Sequence, residues 1–259
     1  MMLTRIIEEK KREIERSQKK ISFNEIKRQA ESSYVKSMFK RNLSRKGHIN
    51  LIAEIKKSSP SQGVLRVNFD PIKIALAYQF AGASAVSVLT DERFFDGKLE
   101  YLNMIKNRVT IPVLRKDFII DEYQIYESAA SGADAILLIA HILTQEELNR
   151  YLSVTKELGM DALCEVHNEE EVEKALKSGV SIIGINNRDL ATFNVDTSVT
   201  QRMIRLIPET KIIVSESGIG SYEQIMFLKS LGVNAVLIGE AFMREENIEE
   251  KVRELIREA

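Results

Sequence analysis

The sequence predicts an α/β protein, a single closed (β/α)8 barrel of eight parallel strands and eight helices behind an N-terminal helical extension. Three observations lead there. From Asn50 onward, short apolar runs alternate with stretches whose apolar residues recur at helical spacing, the pattern of βα units and a parallel sheet. Eight such units fit into about 210 residues, the size and rhythm of a TIM barrel. No Gly-x-Gly-x-x-Gly turn follows the first run, which sets aside the doubly wound open sheet.

Residues 1–48 read as the extension packed on the barrel and 49–259 as the catalytic barrel. In the extension, Leu3, Ile6, Ile7 and Ile14, then Phe23, Ile26 and Ala30, give the periodicity of two or three amphipathic helices. The basic cluster Lys36, Lys40, Arg41, Arg45 and Lys46 lacks interleaved aromatics, so a solvated helix face is a stronger reading than a phosphate or nucleic-acid contact. Strands are expected at 51–57, 85–89, 112–116, 135–139, 161–166, 182–186, 211–215 and 235–238. Helices are expected near 71–81, 99–107, 122–131, 145–158, 169–178, 198–207, 222–231 and 248–258. Asp70 before Pro71, Asp121, Thr144 with Glu147, Asn168 with Glu171, and Ser221 are helix-capping signals. Gly82, Gly132, Gly159, Gly179 and Gly232 sit just past helix ends, where a left-handed residue is wanted.

The chain has 259 residues with 37 Lys and Arg against 38 Asp and Glu, so no global basic field attracts nucleic acid. A small-molecule partner fits better. No secretory leader is recognised, and no run approaches the ~18 apolar residues of a membrane span. The lone Cys164 suits a reducing compartment, so a soluble cytoplasmic protein is expected, with a monomer among the states left open.

Side chains two apart on a strand share a face. Ile52, Glu54 and Lys56 therefore lie together, as do Leu114 with Lys116, Leu163 with Glu165, Gly184 with Asn186, and Val214 with Glu216. Strand ends are wet, and one polar residue there means little. Five strands each delivering an ionisable or amide group to one rim point to chemistry, because buried charge is kept mainly where it is paired or used. Carboxylates and ammoniums in one low-dielectric mouth also shift each other's pKa values.

The ordered motifs Ala53-Glu54-Ile55-Lys56-Lys57-Ser58-Ser59-Pro60-Ser61, Leu114-Arg115-Lys116-Asp117-Phe118-Ile119, Cys164-Glu165-Val166-His167, Gly184-Ile185-Asn186-Asn187-Arg188-Asp189-Leu190 and Ser215-Glu216-Ser217-Gly218-Ile219 together resemble those of indole-3-glycerol phosphate synthases. The resemblance runs from about Asn50 to the end and extends to the helical segment before it. It implies ring closure, decarboxylation and dehydration of an anilino sugar phosphate, 1-(2-carboxyphenylamino)-1-deoxyribulose 5-phosphate, in tryptophan biosynthesis. By motif, Lys116 resembles the general acid at the ketone oxygen and Glu165 the general base. Lys56 resembles the cation for the aryl carboxylate, Glu54 its acid/base partner, and Glu216 and Asn186 the orienting residues. Which lysine is the acid in which step stays open. No cofactor or metal is implied, since the ring-closed iminium is itself an electron sink. A Schiff base on Lys56 or Lys116 is a weaker reading.

Ser217 and Gly218 after the seventh strand, Gly239 and Glu240 after the eighth, and Arg188 after the sixth are the candidate phosphate contacts, since loops after the last strands are this fold's common phosphate cradle. Relatives with Ser or Thr at the position of Glu240 leave its backbone N–H as the expected contact. Ser59 and Ser61, in a loop over 58–63, are expected to border the pocket as part of a mobile lid. Phe94, Phe118 and Leu138 are candidates to sandwich the aromatic ring, against a default of core packing. His48, His141 and His167 show no metal-ligand spacing and read as ordinary rim or surface residues, and Cys164 should face the helices. The competing readings are another phosphate-binding barrel, such as a phosphoribosylanthranilate isomerase with a Cys/Asp pair, and a catalytically silent barrel. The extension is expected to roof the catalytic end, with Lys40, Arg41 and Arg45 lending charge toward the substrate, and residues 1–44 to be removable from a barrel that stays folded.

Overall fold

The computed structural model describes residues 2–34, 36–189 and 194–257. Helices α1 (Met2–Lys20), α2 (Phe23–Ser32) and α3 (Phe39–Leu43) precede the first strand. The strands are β1 (Asn50–Ile55), β2 (Ala85–Leu89), β3 (Val113–Lys116), β4 (Ala135–Ile139), β5 (Asp161–Val166), β6 (Ile182–Asn186), β7 (Ile212–Glu216) and β8 (Ala235–Ile238). Each pairs in parallel with its sequence neighbours, and β1 closes on β8, so the eight strands form the expected barrel. Between them lie α4 (Pro71–Phe80), α5 (Glu92–Phe95), α6 (Glu100–Lys106), α7 (Glu122–Ala130), α8 (Gln145–Glu157), α9 (Glu169–Lys177), α10 (Ser198–Met203), α11 (Tyr222–Ser230), α12 (Glu240–Met243) and α13 (Ile248–Ile256). The short α5 and α12 were not expected, and the tail of the sixth barrel helix tightens into a 3₁₀ turn at Ile204–Leu206. Of the expected motif and helix ends, Leu190 and Glu258 lie outside the described residues.

Local chemistry accounts for the joints. Asp70, Asp121, Thr144, Asn168 and Ser221 all accept a backbone N–H from the first turn of the helix they precede. The repeated Gly-Ala-x-Ala and Gly-Val-x-Ala turns use glycine at positive φ to leave the helix. Their third residue then serves the neighbouring strand: Asp134 accepts from the Val113 N–H at 2.8 Å and Asn234 from the Ile213 N–H at 2.7 Å. Strand starts that would otherwise be unpaired are satisfied by the joint itself.

Two apolar layers result. Inward residues such as Ile52, Leu114, Leu163 and Val214 fill the barrel, while their alternating neighbours pack under the helices. The N-terminal floor is not closed by strand residues. Phe39 and Leu43 of α3, both fully buried, join the interior cluster from below. Asn50 Nδ2 holds the end of that helix by donating to the Leu43 carbonyl at 3.0 Å, and the Lys40 N–H donates to Asp161 Oδ2 at 2.9 Å.

This corrects two expectations. Lys40 reaches Ser181 Oγ at 3.2 Å, Arg45 reaches Asn42 Oδ1 at 3.3 Å, and Arg41 lies on the same short helix. All three therefore stand at the N-terminal ends of the strands, opposite the end where a barrel carries its site. Nor is the segment before β1 surplus, because an apolar plug cannot leave the floor without exposing the interior to water. The three helices divide the work: α1 lies over the C-terminal rim, α2 descends along α7 with Phe23 edge-on to Tyr126 at 5.4 Å, and α3 closes the floor. Phe39→Ala is expected to cost about 3–5 kcal/mol of unfolding free energy. Denaturant titration checks it, and a loss below about 1 kcal/mol would mean that the floor is closed by something else.

Candidate active site

The C-terminal mouth of the barrel holds a pocket lined by Glu54, Lys56, Lys116, Glu165, Asn186 and Glu216, each from a different strand or, for Lys56, one residue past the end of β1. Strand parity brings them together: each shares a face with an interior residue below it. Two glycines make room. A Cβ on Gly184 would overlap Glu216 Oε1, and one on Gly239 would sit 2.6 Å from Glu54 Oε1.

The charges are interleaved. Lys116 Nζ lies 2.8 Å from Glu165 Oε2 and 3.2 Å from Glu216 Oε2, while Lys56 Nζ lies 2.5 Å from Glu54 Oε1. Burial opposes the charge on Lys116, but Glu165, Glu216 and Glu54 outweigh it and hold its pKa well above that of an ordinary lysine. Burial likewise opposes ionised Glu165, yet Lys116 and His167 hold its carboxyl well below the usual range. Glu216 goes the other way. Burial, with repulsion from Glu165 and Glu54 and only Lys116 in opposition, pushes it up to about 7. Three carboxylates compete for two ammoniums, and the one left without a cation of its own is the one that takes up a proton.

A further wall is built from backbone. Ser217 and Gly218 are consecutive left-handed residues, with φ of 67° and 75°. For serine that conformation costs roughly 1–3 kcal/mol. It is held by Ser217 Oγ donating to Asn186 Oδ1 at 2.8 Å and by Asn187 Nδ2 donating to the Ser217 carbonyl at 3.1 Å. Arg188, Gly239 and Glu240 line the same side. The Glu240 carboxylate stands 3.6 Å from Arg188 and 3.2 Å from Arg244, so its side chain is engaged by two guanidiniums.

Ser59, Pro60 and Ser61 border the pocket from a small hairpin in which Ser58–Ser59 pairs with Gly63–Val64. Of the three aromatic and aliphatic candidates, only Phe118 lines the pocket. Phe94 does not; its neighbour Phe95 does, with its ring 6.3 Å from that of Phe118. Leu138 faces the helices, whereas Leu137 and Ile139 face in, as their register opposite Leu163 and Glu165 requires. Parity along β4 was the signal that could have found them. Leu3 and Ile6 of α1 complete the roof.

That roof is bolted down by charge. Lys10 Nζ, with its side chain 3% exposed, lies 3.0 Å from Asp91 and 2.8 Å from Asp117, the residue after Lys116. Asp117 also receives Arg115 at 3.1 Å and the Thr90 hydroxyl at 2.6 Å, and Asp91 caps α5, which carries Phe95. Sequence reading missed this network, since residues 10, 91 and 117 share no pattern. It also missed His167, which reaches both Glu165 and Glu171 and is only 11% exposed in its side chain. Cys164 faces the helices, and burial pushes its thiol up to about 12, so it is no acid–base partner for a Cys/Asp mechanism. Among the described residues no group of His, Cys, Asp and Glu is arranged to hold a metal ion.

Glu216 carries a pH signature. In the unfolded chain it titrates at about 4.3, and in the folded protein at about 7. The folded state holds the extra proton between those values, so the stability this gives is present below the lower one and lost as pH rises through the upper. Glu216→Gln is expected to flatten the fall in Tm between about pH 5 and pH 8 relative to the parent protein. Parallel Tm profiles for the two proteins would refute the assignment.

The chain matches the family model described as Indole-3-glycerol phosphate synthase over residues 3–255. It is 48% identical over 257 residues to the indole-3-glycerol phosphate synthase of Caldanaerobacter subterraneus subsp. tengcongensis, covering 99% of this chain and 98% of that one. It is 50% identical over 257 residues to the enzyme of the same name from Endomicrobium trichonymphae, covering 98% of this chain and 99% of the relative. The solved structure of 3-hexulose-6-phosphate synthase from Salmonella typhimurium aligns with a TM-score of 0.67 at 13% identity, over 81% of this chain and 98% of that one, a likeness of fold alone. With full-length relatives at about half identity and one family model spanning nearly every residue, the chain belongs to the indole-3-glycerol phosphate synthase family.

Proposed function

We propose that this protein converts 1-(2-carboxyphenylamino)-1-deoxyribulose 5-phosphate to indole-3-glycerol phosphate, CO2 and water, on a catalytic barrel of residues 49–259 with residues 1–48 as its extension. The observation that carries the reading is Lys116, its side chain 14% exposed, held in the mouth between Glu165 and Glu216. The substrate has an anion at each end, the aryl carboxylate and the phosphate, and a ketone between them. The pocket lining supplies partners for all three: Lys56, Lys116, and the Ser217, Gly218 and Gly239 backbone with Arg188.

Ring closure forms a bond between the aryl carbon bearing the carboxylate and the ketone carbon. The ketone oxygen becomes an alkoxide, a stronger base than even a raised lysine, and Lys116 donates its proton there. The C–CO2 bond then breaks, its electron pair returning to the iminium generated by closure. Lys56 steadies the carboxylate until it leaves. Loss of water completes the indole: an acid protonates the departing hydroxyl, and Glu165 takes a proton from the ring system. Glu54 partners Lys56 and Glu216 partners Lys116, while Asn186 fixes Ser217 and so the phosphate loop. Phe118, with Phe95, Leu137 and Ile139, supplies the apolar walls for the anthranilate ring.

The reading extends to a cytoplasmic enzyme with no nucleic-acid partner. It is supported by the buried single thiol, the formal charge of −1, and the absence, among the described residues, of any helix long and apolar enough to cross a membrane.

Incubation with the anilino-ribulose phosphate should produce indole fluorescence, and its absence from well-folded protein would reject the proposal. In the same assay Lys116→Ala is expected to lower turnover by about 10²–10⁴ while leaving substrate binding within about tenfold. Near-normal turnover would remove Lys116 from the acid role. Inorganic phosphate is expected to compete with substrate and, in a soaked crystal, to give density against the amides of Ser217, Gly218, Gly239 and Glu240 and the Arg188 side chain. Density confined to other surfaces would argue against that cradle.

A further inference from the structure

Glu165 presents its two oxygens to two different cation positions. Oε2 lies 2.8 Å from Lys116 Nζ, and Oε1 lies 3.3 Å from Nε2 of His167. The imidazole is held from behind. Its Nδ1 is 3.0 Å from Glu171 Oε2, and that oxygen also accepts the His167 backbone N–H at 2.8 Å. The other Glu171 oxygen receives Asn168 Nδ2 at 2.8 Å and lies 2.9 Å from His141 Nδ1. Glu171 stands in the first turn of α9, so its backbone fixes the whole string to the scaffold.

The ring has a carboxylate oxygen close to each nitrogen. Only the imidazolium sets a positive charge between the two; a neutral ring would leave a lone pair beside one of them. The charge balance of the mouth asks for the same state. Lys116 is shared with Glu216 at 3.2 Å, and Lys56 is engaged by Glu54 at 2.5 Å, so no lysine belongs to Glu165 alone. Lys174, on the same helix as Glu171, is committed to the Ala140 and Leu143 carbonyls at 2.9 and 2.8 Å. The Nε2 contact is close but not aligned as a hydrogen bond. It gives Glu165 the benefit of a positive charge without tying up the lone pair that a base needs.

We propose that His167, clamped by Glu171, is a positioning residue that acts as the second counter-cation of Glu165, keeping this buried carboxylate ionised and oriented toward the substrate. The inference deepens the proposed function, since it rests on Glu165 as the base. Burial opposes the imidazolium, but Glu165 and Glu171 outweigh that and raise His167 to about 10, in keeping with the geometry.

Two measurements test it. Imidazole nitrogen resonances, followed by NMR in the substrate-free protein, should show His167 still protonated well above the ordinary value of about 6.5, with Glu165→Gln bringing its titration down by about a unit or more. In the kinetic test, the acid limb of kcat/KM reports the base. Removing a cation raises the pKa of Glu165, so in His167→Gln that limb should move up by about 1–3 pH units, with activity approaching that of the parent at alkaline pH. Glu171→Gln should shift it in the same direction by less. Titration of His167 near its ordinary value, indifferent to Glu165→Gln, would overturn the proposal. So would a folded His167→Gln whose activity is lowered equally at every pH, the mark of a structural role. If the parent protein does not turn the substrate over, the functional reading fails, and the nitrogen titration still decides the His167–Glu165 pair.

Discussion

Three carboxylates kept out of water at one end of a barrel set the terms for the rest of this structure. Glu54, Glu165 and Glu216 are each at most 5% exposed, and an unpaired buried charge costs several kcal/mol. Lysines answer part of that cost, and the glycines at 184 and 239 hold the space in which carboxylate and ammonium can meet. Because Lys116 serves two acids, the acids cannot be equivalent. Glu165 stays ionised with help from His167, and Glu216 holds its proton nearer to neutrality. One shared cation thus separates an ionised carboxylate from a proton-bearing one on strand ends with β6 between them.

The segment before β1 links the two ends of the barrel. A helix of five residues plugs the floor with Phe39 and Leu43, and a helix of 19 residues spans the rim. The rim helix is fastened beside the pocket, through Lys10 to Asp117, next in chain to Lys116, and to Asp91, which caps the helix bearing Phe95. Stability and site geometry share those contacts. Losing Lys10 would leave two buried aspartates short of a partner and free the pocket wall that carries Phe95.

The side proposed for the phosphate follows a different logic, with hydrogen bonds in place of buried charge. Asn186 looks into the pocket and accepts from Ser217, while Asn187, on the alternate face, ties the Ser217 carbonyl to Ser215 and Thr200 behind it. Two adjacent asparagines thereby support one strained turn from both sides. Glu240 sets an acid against Arg188 in the same quarter, so a phosphate bound as proposed would meet an arginine already engaged by a carboxylate.

The sequence by itself determined the barrel. Alternating periodicities, caps such as Thr144 with Glu147, and the glycine-led joints are local signals, and the structure keeps them within a residue or two of their expected positions. Strand parity also made Glu54, Lys116, Glu165, Asn186 and Glu216 legible as one rim, because a period of two needs no knowledge of the partner strand. Applied to β4, the same rule would have replaced Leu138 by Leu137 and Ile139. What only the tertiary structure decided are contacts between residues distant in sequence: Lys10 with Asp117, α3 inside the floor, Phe95 in place of Phe94, and His167 divided between Glu165 and Glu171. Their physical reason is common to all. Charge pairing and cavity filling act through space, and neither leaves a period along the chain for a reader of the sequence to find.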